Sequence, residues 1–291
     1  MAILLVLPIS YYAYTVISHE DLDLTPLAPH AETQNINTQI ESIQSAAVPP
    51  TGFRFIVLGD TRSNFGKARE IMGRAAEEKP VFILHNGDLV RRGRVEEYLG
   101  HHLRLVEEVA PIPVIPVVGN HEKGPNRDFA PFLAIYGEEQ FSFDYGACRF
   151  IGINNSTKWG LTNAHLRYIR EALEKPGAKH KFLLFHVPIR SLDIYVDGEE
   201  GRGFRRNAGA LMELMEEFSV DHVFMGHVHG YATTVVNDVR YTISGGGGAN
   251  LTEKLDADGS VHNFLVIDVG PEGLSNTVWR QRGETWEAAT M

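Results

Sequence analysis

The protein has 291 residues, 43% of them hydrophobic, and is long enough to bury a large core in one α/β domain or two smaller ones. Its formal charge is −10, from 37 acidic and 27 basic residues. A basic field that would hold a long nucleic acid or an anionic membrane surface is therefore not expected, and the charge favours a small or protein-borne substrate. Cys148 is the one cysteine of the sequence, which excludes an intramolecular disulfide and a cysteine-type zinc site.

Residues 1–18 form a distinct first segment, uncharged from Ala2 to Ser18 and followed at once by three acidic residues within 19–23. The pattern predicts a membrane anchor or an export signal, with the rest of the chain outside the cytoplasm. The segment is shorter than the ~20 residues of an ordinary spanning helix, contains Pro8 and lacks a basic start. An uncleaved anchor fits better than a removed signal because no A-x-A-like site follows. The alternative is an apolar terminal strand or helix docked on the core.

Residues 19–50 are polar, poor in aromatic side chains and end in Pro49-Pro50, so they are predicted to be a linker. A folded domain, residues 51–291, follows. Its apolar runs and amphipathic segments predict, in chain order, strand 53–58, helix 64–78, strand 81–85, helix 95–109, strand 113–118, hairpin 141–154, helix 162–175, strand 181–185 and helix 208–218. Short strands without intervening helices are predicted at 223–225, 231–236, 240–244, 261–269 and 276–280. This order predicts an α/β fold with two sheets packed face to face and helices outside.

Five of the predicted strands end in residue types that bind metal ions. The strand ends read Gly59-Asp60, Gly87-Asp88, Gly119-Asn120-His121, Phe185-His186 and Gly226-His227-Val228-His229. Ligands bind at the carboxyl edge of open α/β sheets, and glycine lets the backbone turn sharply there. Two carboxylates, an amide oxygen and three imidazoles suit zinc, manganese or iron rather than calcium. One carboxylate can also bridge two ions ~3.5–4 Å apart, as in phosphoryl displacement.

Each member of this set has an ordinary structural interpretation when taken alone. Gly-Asp after a strand is more often a turn or a helix cap, and a histidine such as His186 is usually structural. His227 and His229 are stronger candidates, since an i, i+2 pair on extended backbone projects both rings to one side. The occurrence of ligand types at five strand ends favours the metal site.

The order Gly59-Asp60-Thr61-Arg62, Gly87-Asp88, Gly119-Asn120-His121-Glu122, His186 and Gly226-His227-Val228-His229 resembles the calcineurin-like metallophosphoesterase superfamily, from about Phe53 to Gly248. Within it, residues 141–146 and the glycine run 245–248 look most like the purple-acid-phosphatase-like branch. The resemblance implies a four-layer α/β/β/α sandwich of two mixed sheets flanked by helices. It also implies a first metal held by Asp60, Asp88 and His229, and a second held by Asp88, Asn120, His186 and His227, with Asp88 as the bridge.

The same resemblance implies a phosphoester hydrolase whose catalytic domain is residues 51–291. Two ions of manganese, zinc or iron would generate a hydroxide for in-line attack on phosphorus. His121 would lie beside the substrate phosphate and stabilise charge or protonate the leaving oxygen. Its alternative role is to orient Asn120 or to pack against Glu122.

Two positions depart from the family pattern. The family's fourth ligand to the first metal is a histidine two residues after the first Asp, whereas this chain has Arg62, which has no lone pair to donate. The first metal should therefore bind weakly or complete its shell with water. Arg62 would grip the substrate phosphate, or else be a solvated or ion-pairing arginine at a helix entry. Arg91 stands where purple acid phosphatases place an iron-binding tyrosine, so no tyrosinate colour is expected.

Three further features have open interpretations. His101 and His102 are predicted to be a solvated helix edge rather than a third metal site. Residues 193–207 are a substrate-selecting lid, with Arg202, Arg205 and Arg206 meeting phosphate, or a plain exposed loop. The glycine run 245–248 is predicted to be a tight turn below the metals. The resemblance to the purple-acid-phosphatase-like branch favours phosphomonoesters as substrates. Phosphodiesters and nucleotides remain alternatives, as does a non-catalytic tethered binding module with an incomplete metal centre.

Overall fold

The computed structural model describes residues 21–156, 160–194, 203–253, 255 and 258–291. These residues form two six-stranded sheets. The first sheet contains, in spatial order, β12 (Thr285–Thr290), β11 (Gly273–Arg282), β10 (His262–Gly270), β1 (Phe53–Leu58), β2 (Phe82–His85) and β3 (Val114–Pro116). The second contains β4 (Phe141–Tyr145), β5 (Cys148–Gly152), β6 (His180–Leu184), β7 (His222–Met225), β9 (Val239–Ser244) and β8 (Tyr231–Val236). Both sheets are mixed: β1 to β3 are parallel, as are β5, β6, β7 and β9, and the remaining pairs are antiparallel.

The two sheets pack on each other through aromatic side chains. The Phe55 ring lies with its centroid 5.1 Å from that of Phe150 and 5.1 Å from that of Phe182 on the facing sheet. Side chains alternate between the two faces of a strand, so Phe55 faces the other sheet while its neighbours Ile56 and Leu58 face the outside. The apolar run of β1 therefore serves two separate cores.

Helices cover the outer faces of both sheets, and others pack against the core between the sheets. In chain order the described helices are α1 (Ala28–Gln34), α2 (Ile36–Ser45), α3 (Phe65–Glu77), α4 (Val95–Glu97, a π-helical turn Tyr98–His102, and Leu103–Glu108), α5 (Ala130–Tyr136), α6 (Asn163–Glu174) and α7 (Ala208–Glu217). α3 and α4 pack on the first sheet, and α6 and α7 on the second. The predicted four-layer α/β/β/α sandwich is thus confirmed.

The linker predicted for residues 19–50 is not what the structure shows for residues 25–45. A 3-10 turn, Thr25–Leu27, leads into α1 and α2, and the side chains of Leu27, Ile36 and Ile43 are buried in the core between the sheets. Ile36, Ile40 and Ile43 recur at helical spacing, and their apolar stripe packs beside β4. The polar composition of the segment concealed this short periodic pattern.

The other strands and helices predicted from sequence are present, several with shifted ends. α5 and β12 were not predicted, β10 is shifted by one residue, and β11 is longer than expected because it pairs with β10 along the whole length of that strand. Within the described residues no helix is long and apolar enough to cross a membrane. The predicted anchor at residues 1–18 lies outside the described residues.

Candidate metal centre

Polar residues that follow strands of both sheets meet at one edge of the sandwich. They are Asp60 after β1, Asp88 after β2, Asn120 after β3, His186 after β6, and His227 and His229 after β7. The His227 backbone N–H donates to Asp60 Oδ2 over 3.0 Å, and His186 Nε2 lies 3.2 Å from Asp88 Oδ1, so contacts cross between the sheets. The structure brings all six residues predicted as ligands into one cluster.

Three members of the cluster have left-handed backbone conformations, which residues with side chains rarely adopt. The φ angle is 60° at Asp60, 58° at Asp88 and 71° at His227. Such strain persists where the surroundings require it, often at functional sites. His227 therefore does not lie on extended backbone, contrary to the prediction made from its spacing from His229. Gly226 precedes it because a Cβ at that position would lie 2.7 Å from Asp60 Oδ2.

The residues predicted for the second metal fit a bound cation. The Nδ1–H of His186 donates to the Asn86 carbonyl over 2.7 Å, which leaves the lone pair of the neutral ring on Nε2. This Nε2 faces Asp88 Oδ1 at 3.2 Å and Asn120 Oδ1 at 3.1 Å. His227 Nδ1 lies 2.7 Å from the same amide oxygen. Burial lowers the pKa of His186, although the charge of Asp88 acts in the opposite direction. The ring therefore holds a proton poorly, and a metal cation suits this gap better than a proton does.

Asp60, predicted for the first metal, lies beside this position at the end of β1, and its Oδ1 is 3.5 Å from His229 Nε2. Ligand atoms of Asp60, Asp88 and His186 all lie within 4.8 Å of one another. Asp60 Oδ1 is buried and has no hydrogen-bond partner among the described atoms. Burial, and after it the charge of Asp88, raises the pKa of Asp60 well above its usual value. Buried polar atoms are normally satisfied, so the unpartnered oxygen also indicates a cation site.

Arg62 lies among the residues predicted for the first metal. Its Nε donates to Asp88 Oδ2 over 3.1 Å, and its Nη2 lies 3.2 Å from His229 Nε2. The Nδ1–H of His229 donates to the Asn250 carbonyl over 2.7 Å, so His229 Nε2 accepts from Arg62. The Arg62 side chain is only 17% exposed. Arg62 is thus ion-paired within the site rather than solvated at the helix entry, and the first set fits an ion less well than the second.

His121 is anchored on one side and open on the other. Its Nδ1–H donates to the Arg91 carbonyl over 2.6 Å, and its backbone N–H donates to Asp88 Oδ1 over 3.0 Å. Its Nε2 lies 3.9 Å from Asp88 Oδ2, and 30% of the side chain is exposed. The ring is therefore oriented by Arg91 and Asp88 and remains accessible to a substrate.

Glu122 is a buried carboxylate that the sequence analysis did not assign to the site. It accepts backbone N–H groups from Gly119 at 2.6 Å, Asp88 at 2.8 Å, Leu89 at 2.8 Å and Val90 at 3.3 Å. It thereby ties together the loops after β2 and β3. Burial and then the charge of Asp88 raise the pKa of Glu122 to about 8, opposed by the N–H donors. Its position three residues after Gly119, as in a capping box, was the available signal.

The prediction of a solvated edge at His101 and His102 is wrong. His102 is fully buried and hydrogen-bonded to Tyr136, while the ring nitrogen Nε2 of His101 donates to the Thr61 carbonyl over 2.9 Å. The Thr61 hydroxyl in turn lies 3.0 Å from His85 Nε2. Adjacent helical positions do point apart, but here one faces the loop after β1 and the other faces the core. His101 therefore supports the backbone next to Asp60, whereas His102 belongs to the core.

The glycine run 245–248 packs beneath Asp60, as predicted. The Gly247 N–H donates to the Gly59 carbonyl over 2.9 Å. A Cβ at Gly245 would lie 2.9 Å from Asp60 Oδ2. The run bends at residues 247–249 and allows close approach to the site.

The segment predicted as a lid is described only at its ends. Residues 195–202, and with them Arg202, lie outside the described residues. Phe204 is buried, and its backbone hydrogen bonds with Pro188 and Arg190 hold this end of the segment against the residues that follow His186 in the sequence. Arg205 and Arg206 are exposed.

Comparisons with known proteins agree with this fold. A family model described as calcineurin-like phosphoesterase matches residues 53–231, more than half of the chain. A nucleotide pyrophosphatase/phosphodiesterase of Hordeum vulgare is 24% identical, with 58% of each chain covered. Purple acid phosphatase PPD1 of yellow lupin (Lupinus luteus) superposes with a TM-score of 0.67 at 16% identity, covering 83% of this chain and 54% of that one. GAP50, the anchor in the inner membrane complex of Plasmodium, superposes with a TM-score of 0.63 at 17% identity, covering 83% and 89%.

The chain spans little more than half the length of the barley and lupin proteins. At these identities the solved structures establish the shared fold alone. The family model covers β1 to the start of β8, and with them every strand end that contributes to the cluster. On that match the chain belongs to the calcineurin-like phosphoesterase family.

Proposed function

We propose that the protein is a metal-dependent phosphoester hydrolase. The observation that carries this proposal is the convergence of Asp88, Asn120, His186 and His227 on one cation-sized gap, beside the accessible ring of His121. A metal bound there would activate water and offset the charge of a phosphate group. The buried Oδ1 of Asp60, which has no hydrogen-bond partner among the described atoms and lies 3.5 Å from His229 Nε2, also supports a cation in this cluster.

The protein's own residues supply positioning and proton transfer. The Asn86 carbonyl holds the His186 ring so that Nε2 faces the gap. The Arg91 carbonyl binds Nδ1–H of His121, so Nε2 is the atom that would protonate the leaving oxygen.

Arg62 is proposed to contact the substrate phosphate from the other side. Its guanidinium has five N–H donors, and the contacts to Asp88, His229 and Ser63 use three of them within the described part of the chain. The other donors remain for phosphate oxygens.

Phosphomonoesters are the proposed substrates, from the resemblance to the purple-acid-phosphatase-like branch. The name of the barley relative, nucleotide pyrophosphatase/phosphodiesterase, supports phosphodiesters and nucleotides as the second candidate. The charge of −10 argues against long nucleic acids for either class.

Turnover of p-nitrophenyl phosphate and of bis(p-nitrophenyl) phosphate tests both proposals. The full chain is stripped with a chelator and reloaded with Mn²⁺, Zn²⁺ or Fe²⁺, and Asp88→Asn is compared with Asp238→Asn, a change in an exposed turn. We expect turnover that requires metal, favours the monoester and is lost in Asp88→Asn alone. Absence of turnover with every metal would refute the hydrolase and favour a non-catalytic binding module.

Export or anchoring through residues 1–18 is a separate proposal, supported by their uncharged, apolar composition. Cell fractionation of the full chain and of a chain lacking residues 2–18 tests it. Recovery of both in the cytoplasmic fraction would count against it.

A further inference from the structure

We propose that the Arg62 guanidinium takes the place of the first metal ion, so that the centre binds one ion and uses an arginine as its second cation. This inference rests on the proposed function for the catalytic role of the bound ion, but the ion count that it predicts is independent of turnover.

Competition for His229 is the first argument. The Nδ1–H of His229 is used by the Asn250 carbonyl at 2.7 Å, which leaves one lone pair, on Nε2. That lone pair accepts from Arg62 Nη2 at 3.2 Å. A nitrogen with a single lone pair cannot serve a guanidinium N–H and a metal together. While Arg62 is in place, His229 is therefore not a ligand.

The second argument is the division of the Asp88 carboxylate. Its Oδ1 faces the second-metal gap, 3.2 Å from His186 Nε2, while its Oδ2 accepts from Arg62 Nε at 3.1 Å. A bridging carboxylate gives one oxygen to each of two ions. Here the second oxygen is given to the guanidinium, so Asp88 bridges one ion position and one arginine.

The placement of Arg62 is fixed by its own backbone and neighbours. Its N–H donates to the Asp88 carbonyl over 3.2 Å, and its Nη1 donates to the Ser63 hydroxyl over 3.3 Å. With 17% of its side chain exposed, the residue is largely enclosed by the site. It is held where the first ion would bind.

The charge of the cluster favours one ion. The carboxylates of Asp60 and Asp88 together with Arg62 and one divalent ion sum to +1. A second divalent ion would raise this sum to +3 among groups only a few ångströms apart, where partial burial strengthens the repulsion between cations. Arg62 thus supplies positive charge that the family pattern assigns to a metal.

Metal content of the full chain tests the inference. Wild type, Arg62→His, Arg62→Leu and the control Arg92→His, an exposed arginine beyond β2, are saturated with Mn²⁺, desalted and measured by plasma mass spectrometry. We expect one ion per chain in wild type and in Arg92→His, and two in Arg62→His, which restores the missing ligand. Arg62→Leu frees His229 and Asp88 without adding a ligand. It should therefore also take up a second ion, but with a larger dissociation constant than Arg62→His. The electron paramagnetic resonance spectrum should change from that of isolated Mn²⁺ to that of a coupled pair.

Two ions, or none, in saturated wild type would overturn the inference, and so would a single ion in both Arg62 variants. The wild-type measurement stands even if a variant fails to fold, which thermal unfolding would reveal. One ion without turnover would refute the hydrolase and support the arginine substitution. Two ions with turnover would do the reverse.

Discussion

Glu122 should be required for the loops that carry Asp88 and Asn120 to keep their positions. Its carboxylate is fully buried and accepts four backbone N–H groups, two at each oxygen. In Glu122→Gln the retained carbonyl oxygen can still accept from Leu89 and Val90. The amide nitrogen then faces the N–H groups that formerly bonded to Oε2, donor against donor.

The expected loss follows from the number of unsatisfied donors. A buried N–H without a partner costs about 1–3 kcal/mol, so the two lost in Glu122→Gln should reduce the free energy of unfolding by about 2–6 kcal/mol. Glu122→Ala leaves all four N–H groups unpaired, about 4–12 kcal/mol, which is comparable with the whole stability of a typical domain. The alanine variant is therefore expected not to fold, and the glutamine variant is the informative one.

Urea unfolding of the full chain in chelator is the assay, because bound metal would add its own stabilisation to the wild type. The matched control is Glu97→Gln, since Glu97 accepts the Arg92 N–H over 2.7 Å at an exposed position. That change should cost about 1 kcal/mol or less. A Glu122→Gln variant within about 1 kcal/mol of wild type would refute the role assigned to the four N–H groups.

The other predictions concern the site and the pH dependence of stability. Gly226→Ala places a Cβ 2.7 Å from Asp60 Oδ2 and should lower the free energy of unfolding by about 1–3 kcal/mol and weaken metal binding. The control is Gly73→Ala on α3, where the new Cβ meets open space and the change should be neutral or stabilising. Urea unfolding and metal titration check this pair, and equal effects would contradict it. His121→Ala should lower kcat about 10²–10⁴-fold with unchanged metal content; loss of metal would instead assign His121 to the ligands. Burial lowers the pKa of His222 well below its usual value, so below about pH 6.5 the unfolded chain binds a proton that the folded chain does not. As the pH falls below that value, His222 should lower the free energy of unfolding by up to about 1.4 kcal/mol per pH unit. His222→Gln lacks this contribution, so its free energy of unfolding should depend less steeply on pH. Equal slopes for the two proteins in urea unfolding from about pH 6.5 to 5 would exclude the role of His222.

The predictions that succeeded rest on local patterns. The strand 53–58 and the helices 64–78 and 162–175 were each predicted from patterns of neighbouring residues. The linker prediction failed because the apolar stripe of α2 is short and its segment is otherwise polar. That stripe is stabilised by packing against β4, a partner about 100 residues away, as the Gln44 to Asp144 hydrogen bond shows.

The sequence by itself determined which residue types follow each strand, because strand patterns and the glycines that end them are local. It also showed that Arg62 stands where the family has a ligand. Only the tertiary structure decided what Arg62 does there, since its bonds to Asp88 and His229 join residues 26 and 167 positions apart. The distances between these side chains depend on how the edges of the two sheets line up when the sheets pack face to face. That alignment is fixed by packing between the sheets rather than by any single segment.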